Sequence, residues 1–91
     1  MESKFQAQLE KLMKQDSVTG VVCGDSSGLP LAACGIATHR HAGLVSAIAN
    51  QASKIFPSLN EVPIICIEGE KTNLLIRSED KMVLGIFKTK V

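Results

Sequence analysis

Three cysteines, two histidines and one acidic turn are the residues of this chain whose types could do chemistry. Cys23, Cys34 and Cys66 could supply a thiol nucleophile or zinc ligands. They form an odd set with no C-x-x-C spacing, and each sits among apolar residues in a predicted strand. Their expected role is that of small buried hydrophobes in a reducing compartment. His39-Arg40-His41 could suggest a metal pair, but histidines at i,i+2 do not share a helix face. With no third ligand near, they are expected to be solvated residues at a helix start. Asp25-Ser26-Ser27-Gly28 could be an acid or phosphate site. Turn chemistry accounts for it fully: Asp suits the first position and Gly supplies a left-handed residue. No base is paired to a nucleophile by a recognisable motif. The expectation is a non-enzyme with no catalytic residue, cofactor or metal.

The whole composition points the same way. Ninety-one residues make one domain, 1–91, and a chain of this size buries roughly 60–65% of its unfolded surface. The hydrophobic content is 45% and the only aromatics are three Phe, so the core is aliphatic. A net charge of +1, without a basic stripe or any Tyr or Trp to stack bases, argues against nucleic acid as a partner. Apolar runs are only a few residues long, too short to span a bilayer. The Met1-Glu2-Ser3-Lys4 start is no signal peptide and the ends carry no lipidation box, so no direct membrane insertion is expected.

The element that positions everything else is a predicted helix over 38–56. Val45, Ile48, Ala49, Ala52, Ile55 and Phe56 recur at i, i+3, i+4, i+7, i+10 and i+11 and share one face. Ser46, Asn50, Gln51, Ser53 and Lys54 take the rest of the circumference. Thr38 suits the N-cap and Pro57 the stop. A shorter amphipathic helix is predicted over 3–14, with Phe5, Leu9, Leu12 and Met13 on one face and Ser3 and Gln6 as a capping box. Strands are predicted over 18–25, 29–36, 62–68, 72–78 and 81–88, with turns at 25–28, 69–71 and 79–80.

The resulting order is α-β-β-α-β-β-β. Short turns make the last three strands a meander beside the first hairpin. Joining strand one to strand five gives a five-stranded antiparallel sheet in the order 2-1-5-4-3. Pro30 suits strand two to an edge. Strand three, Ile64, Ile65, Cys66, Ile67 and Glu68 past Pro63, is a nearly bare apolar edge that would aggregate unless paired with another chain. Strands one, three and four are apolar on both sides, as in sheets covered on both faces. The short first helix can cover only part of the face opposite the long one, so a partner is expected there too.

The run Gly20-Val21-Val22-Cys23-Gly24-Asp25-Ser26-Ser27-Gly28-Leu29-Pro30-Leu31 resembles the first hairpin of the roadblock/LC7 superfamily: a Gly-Val, an Asp-x-x-Gly turn, then Leu-x-Leu. His41-Ala42-Gly43, the helix through Asn50-Gln51-Ala52-Ser53-Lys54, and Val62-Pro63-Ile64-Ile65-Cys66-Ile67-Glu68 are similar to the small roadblock subunits of the Ragulator complex. The resemblance covers nearly the whole chain, including the lack of a third helix. It implies the roadblock/LC7 (profilin-like) fold and a non-enzymatic scaffold subunit. It further implies the cytosolic face of late endosomes and lysosomes, where Ragulator holds Rag GTPases for amino-acid signalling to the TOR kinase. The implied partners are another roadblock-fold subunit, the fourth of the complex, as a heterodimer; the lipidated scaffold subunit; and Rag GTPases through the complex. In such dimers strand three meets its counterpart and the long helices lie side by side. That assigns Leu44, Ala47 and Gln51, together with Ile64 to Glu68, to partner binding. Alternatives are a dynein light chain, a GTPase-regulating roadblock homodimer, or a small thiol enzyme.

Overall fold

A computed structural model describes residues 2–56 and 63–90. The elements are α1 (Glu2–Met13), β1 (Val18–Asp25), β2 (Pro30–Gly35), α2 (Arg40–Ser53), β3 (Ile65–Glu68), β4 (Thr72–Glu79) and β5 (Met82–Thr89). All sheet neighbours are antiparallel and the order is β2-β1-β5-β4-β3, as the hairpin-and-meander rule predicts. No helix follows β5 among the described residues. Pro57, the loop after it and Val62 lie outside them.

β1 is the spine. Its neighbours are β2 and β5, and its alternating side chains feed both layers. Val22 joins Val45, Ala49, Ile76 and Val83 beneath α2, while Val21 and Cys23 join Leu9 and Ala32 beneath α1. Val21, Val22, Val45 and Ile76 are the largest fully buried side chains. Gly85 on β5 lets α2 come close. A Cβ there would sit 3.1 Å from both Val22 Cγ1 and Val45 Cγ1.

Cover is uneven, and this corrects the expectation that strand three is apolar because both its faces are covered. α1 packs on β1 and β2, and α2 packs on β1, β5, β2 and β4. A helix is about 10–12 Å wide and strands are about 4.8 Å apart, so one helix lies squarely over two or three strands, and α2 meets β2 and β4 only at its margins. Five strands exceed what either can reach. β3 is left with Ile65 half-buried and Cys66, Ile67 and Glu68 exposed.

The helix ends differ from expectation. α1 begins at Glu2, so Ser3 lies inside it and is not its N-cap. Gln6 does not complete a capping box with Ser3 but donates its side-chain amide to the Ala33 carbonyl of β2. The N-cap of α2 is His39, which makes no side-chain cap bond. Thr38, the expected cap, plays the opposite part: its backbone N–H donates to Nδ1 of His41 at 3.0 Å. His41 is half-buried, its ring edge-on to Phe87 at 5.2 Å, so of the two histidines only His39 is solvated.

Two residues of the expected apolar and polar faces of α2 also change places. Ser46 is buried because its hydroxyl donates to the Asp25 carbonyl at 2.9 Å and ties the helix to the β1–β2 turn. Ile55 is exposed. Past Ser53 the backbone bonds run from Lys54 to Gln51 and from Ile55 to Ala52. Such i→i−3 bonds tighten the turn and carry Ile55 off the buried stripe.

Candidate functional site

Turn chemistry builds one end of the β1–β2 hairpin. Oδ1 of Asp25 accepts from the Ser27 N–H at 2.9 Å, the Ser27 hydroxyl at 2.7 Å and the Leu29 N–H at 2.8 Å. The Ser27 hydroxyl bond first, then the Leu29 N–H, holds its carboxyl below the usual carboxylate range. Every acceptor site used is spent on the turn itself, so the acid is structural. Burial pushes the Cys23 thiol up, and its Sγ lies 4.0 Å from Met82 Sδ. Burial, then the charge of Glu10, pushes Cys34 up as well. A raised thiol is a poor nucleophile at neutral pH. Cys34 is half-buried and Cys66 exposed, which corrects the expectation of three buried cysteines: Cys34 sits on the edge strand β2, and β3 has no cover on the α1 side. Among the described residues no three His, Cys, Asp or Glu side chains gather as a metal site.

What remains is a surface. β3 ends the sheet, and its outer side has no strand partner among the described residues. The tight β3–β4 turn is closed by the Gly69 N–H donating to the Thr72 carbonyl at 2.8 Å. Bonded pairs recur at every second residue of an antiparallel ladder. Ile67 and Ile65 therefore bond inward to Leu74 and Ile76, and the backbone groups of Cys66 and Glu68 point away from the sheet. Those outward groups are a template for another strand.

The side chains split by face. Ile65 and Ile67 point to the α2 side. Ile65 packs against the core cluster under α2, together with Ile48. Ile67 is 42% exposed, and Ile64, just before the strand, is 66% exposed. Cys66 and Glu68 point to the α1 side, where Glu68 Oε1 lies 4.0 Å from Lys90 Nζ.

On α2, Leu44, Ala47 and Gln51 are exposed at i, i+3 and i+7, and Leu44 is 60% exposed. Ile55 extends this stripe at i+11; sequence reasoning assigned it to the core, although its four-residue spacing from Gln51 was the available signal. The stripe and Ile67 thus lie on the same side of the sheet, with Ile48 and Ile65 beneath them. The structure does not bring Cys66 or Glu68 to that side.

A second apolar surface lies along α1. Phe5, Leu9, Leu12, Met82 and Leu84 line a cleft of about 360 Å³ where α1 leaves β5 uncovered. No described helix is long and apolar enough to cross a membrane.

Comparison with known proteins places these features. The chain is 34% identical over 88 residues to the Ragulator complex protein LAMTOR5 of Xenopus laevis, covering 97% of each. It is 36% identical over 88 residues to the LAMTOR5 homolog of Nematostella vectensis, again covering 97% of each. Among solved structures it superimposes on a roadblock/LC7 domain from Streptomyces avermitilis with a TM-score of 0.80 at 17% identity, over 92% of this chain and 77% of that one. Myxococcus xanthus MglB gives a TM-score of 0.79 at 24% identity, over 98% of this chain and 72% of that one. Those two likenesses establish the roadblock/LC7 fold. Residues 1–88 match the family described as Ragulator complex protein LAMTOR5, and the chain belongs to that family.

Proposed function

We propose that this chain is a non-enzymatic scaffold subunit of a Ragulator complex, built as a single roadblock/LC7-type domain over 1–91. It helps to hold Rag GTPases at the cytosolic face of lysosomes and late endosomes for amino-acid-dependent TOR signalling. Its immediate partner is a second roadblock-fold subunit, the fourth of the complex. The observation that carries this reading is the open β3 edge beside the exposed Leu44, Ala47 and Gln51 stripe, in a chain of this family. A partner strand satisfies the outward groups of Cys66 and Glu68, and a partner helix covers Leu44 and Ile55. The cleft along α1 offers a second surface, suited to a segment of the lipidated scaffold subunit.

The test uses Ile67→Lys and Leu44→Glu. Ile65 is a poor probe because it packs into this chain's own core. An unpaired charge buried at an interface costs about 3–5 kcal/mol, or at least about a hundredfold in affinity. Co-expressed with the fourth Ragulator subunit, both variants should stay folded but fail to co-elute with it, and should disperse from lysosomes in cells. Lys71→Glu, an exposed change in the β3–β4 turn, should co-elute as the native chain does. If Ile67→Lys and Leu44→Glu still co-elute, the pair is built on another surface.

A further inference from the structure

The sheet has two ends, and they are not alike. At the β2 end the Ile36 N–H donates to the Thr19 carbonyl at 2.9 Å. By the two-residue recurrence of antiparallel bonding, Cys34 and Ala32 bond inward and the backbone groups of Ala33 face outward; the register shifts at Leu31, which falls in a bulge. This edge is flanked by exposed apolar side chains, Leu29 before it and Ile36 after it. It differs from β3 in being closed. Pro30 has no N–H to offer. α1 lies over β2 and β1, and Gln6 reaches round to donate its amide to the outward Ala33 carbonyl at 3.2 Å.

We propose that Gln6 is a specificity-determining residue: by occupying the Ala33 carbonyl at the β2 edge it confines strand pairing to β3, so that edge-to-edge strand pairing joins only two chains. The proposal rests on β3 being the pairing edge. A chain open at both ends could add partners at each, and head-to-tail pairing of unlike edges gives rings or open filaments in place of a closed pair. Natural sheets guard such edges; here Pro30 guards the start of β2, and a side chain from α1, distant in sequence, guards Ala33.

The experiment measures the mass of the purified heterodimer by sedimentation and native mass spectrometry across a concentration series. Gln6→Met keeps length and apolar packing but cannot donate. It should yield species heavier than the pair, growing with concentration. Gln6→Lys, which keeps a donor, should remain a pair. Adding Ala33→Pro to Gln6→Met removes the outward N–H without touching the inward ladder, and should return the mass to that of the pair. A Gln6→Met pair whose mass does not change with concentration overturns the proposal. So does growth in Gln6→Lys, or growth that survives Ala33→Pro, since general misfolding would not be cured by a proline at the edge. Failure of the β3 reading is read separately, as a heterodimer that survives Ile67→Lys.

Discussion

Gly28 carries a φ of +97°, closing the turn that the Asp25 carboxylate organises. Its N–H donates to the Asp25 carbonyl at 3.0 Å. The space around it is ordinary: a Cβ would meet Gly43 Cα at 3.4 Å. The cost of a side chain there is therefore backbone strain, about 1–2 kcal/mol. Gly28→Val should lower the melting temperature by roughly 4–15 °C and leave partner choice intact, because the turn lies at the β1–β2 end of the molecule. Calorimetry on the native and variant chains checks this, and an unchanged melting temperature would mean that the left-handed residue is not what limits the turn. The other residues that matter at this scale work through bonds that leave their own element: the Ser46 hydroxyl to the Asp25 carbonyl, the Gln6 amide to the Ala33 carbonyl and, only three residues apart, the Thr38 N–H to the His41 ring. None joins residues in one element.

The decisive element is α2, and what it covers depends on one glycine beneath it. Val45 can approach β5 only because Gly85 has no Cβ, and Val22 presses on the same spot from β1. Neither neighbour can yield freely, since both are fully buried. Gly85→Val would push α2 away from the sheet, and overpacking of this kind costs about 1–3 kcal/mol. Denaturant unfolding should show a lower midpoint for Gly85→Val. Gly85→Ala should show a smaller drop, since only the 3.1 Å contacts must relax. A midpoint unchanged in both would show that α2 rides higher than described. α2 also carries the exposed Leu44, Ala47 and Gln51 stripe, so a displaced helix would weaken pairing as well as folding.

Over the whole molecule the two helices pack on four of the five strands and leave the outer edge of β3 bare. A partner that binds only the folded chain stabilises it by mass action. The heterodimer should therefore melt higher than the lone chain, and its melting point should rise with concentration. The cysteines report the same event. In the lone chain an alkylating reagent should modify exposed Cys66 first, half-buried Cys34 next and buried Cys23 last. With the second roadblock-fold subunit paired along β3, the adjoining strand flanks Cys66 on the α1 face, so Cys66 should be modified more slowly while the order of the other two is kept. Peptide mass spectrometry over a reaction time course gives each rate. Equal Cys66 rates in the lone and paired chain would place the partner elsewhere.

Sequence by itself determined the element order, the strand order and the bare edge. These depend on local signals: the 3.6-residue spacing from Val45 to Ala52, the Asp25-to-Gly28 turn, the short turns that force a meander, and the uninterrupted Ile64-to-Ile67 run. The exposed residues of the candidate surface were legible in part for the same reason, since a helix stripe and an edge strand are periodic. Only the tertiary structure decided which faces the helices reach. It buried Ser46, released Ile55, turned Cys66 outward, set His41 on Phe87 and brought Gln6 to the β2 edge. The exposure of β3 follows from a helix being wide enough for two or three strands of a five-stranded sheet. Where on the sheet it settles is chosen by contacts between residues far apart in the chain, such as Gly85 with Val45 and Gln6 with Ala33, and no local pattern records that choice.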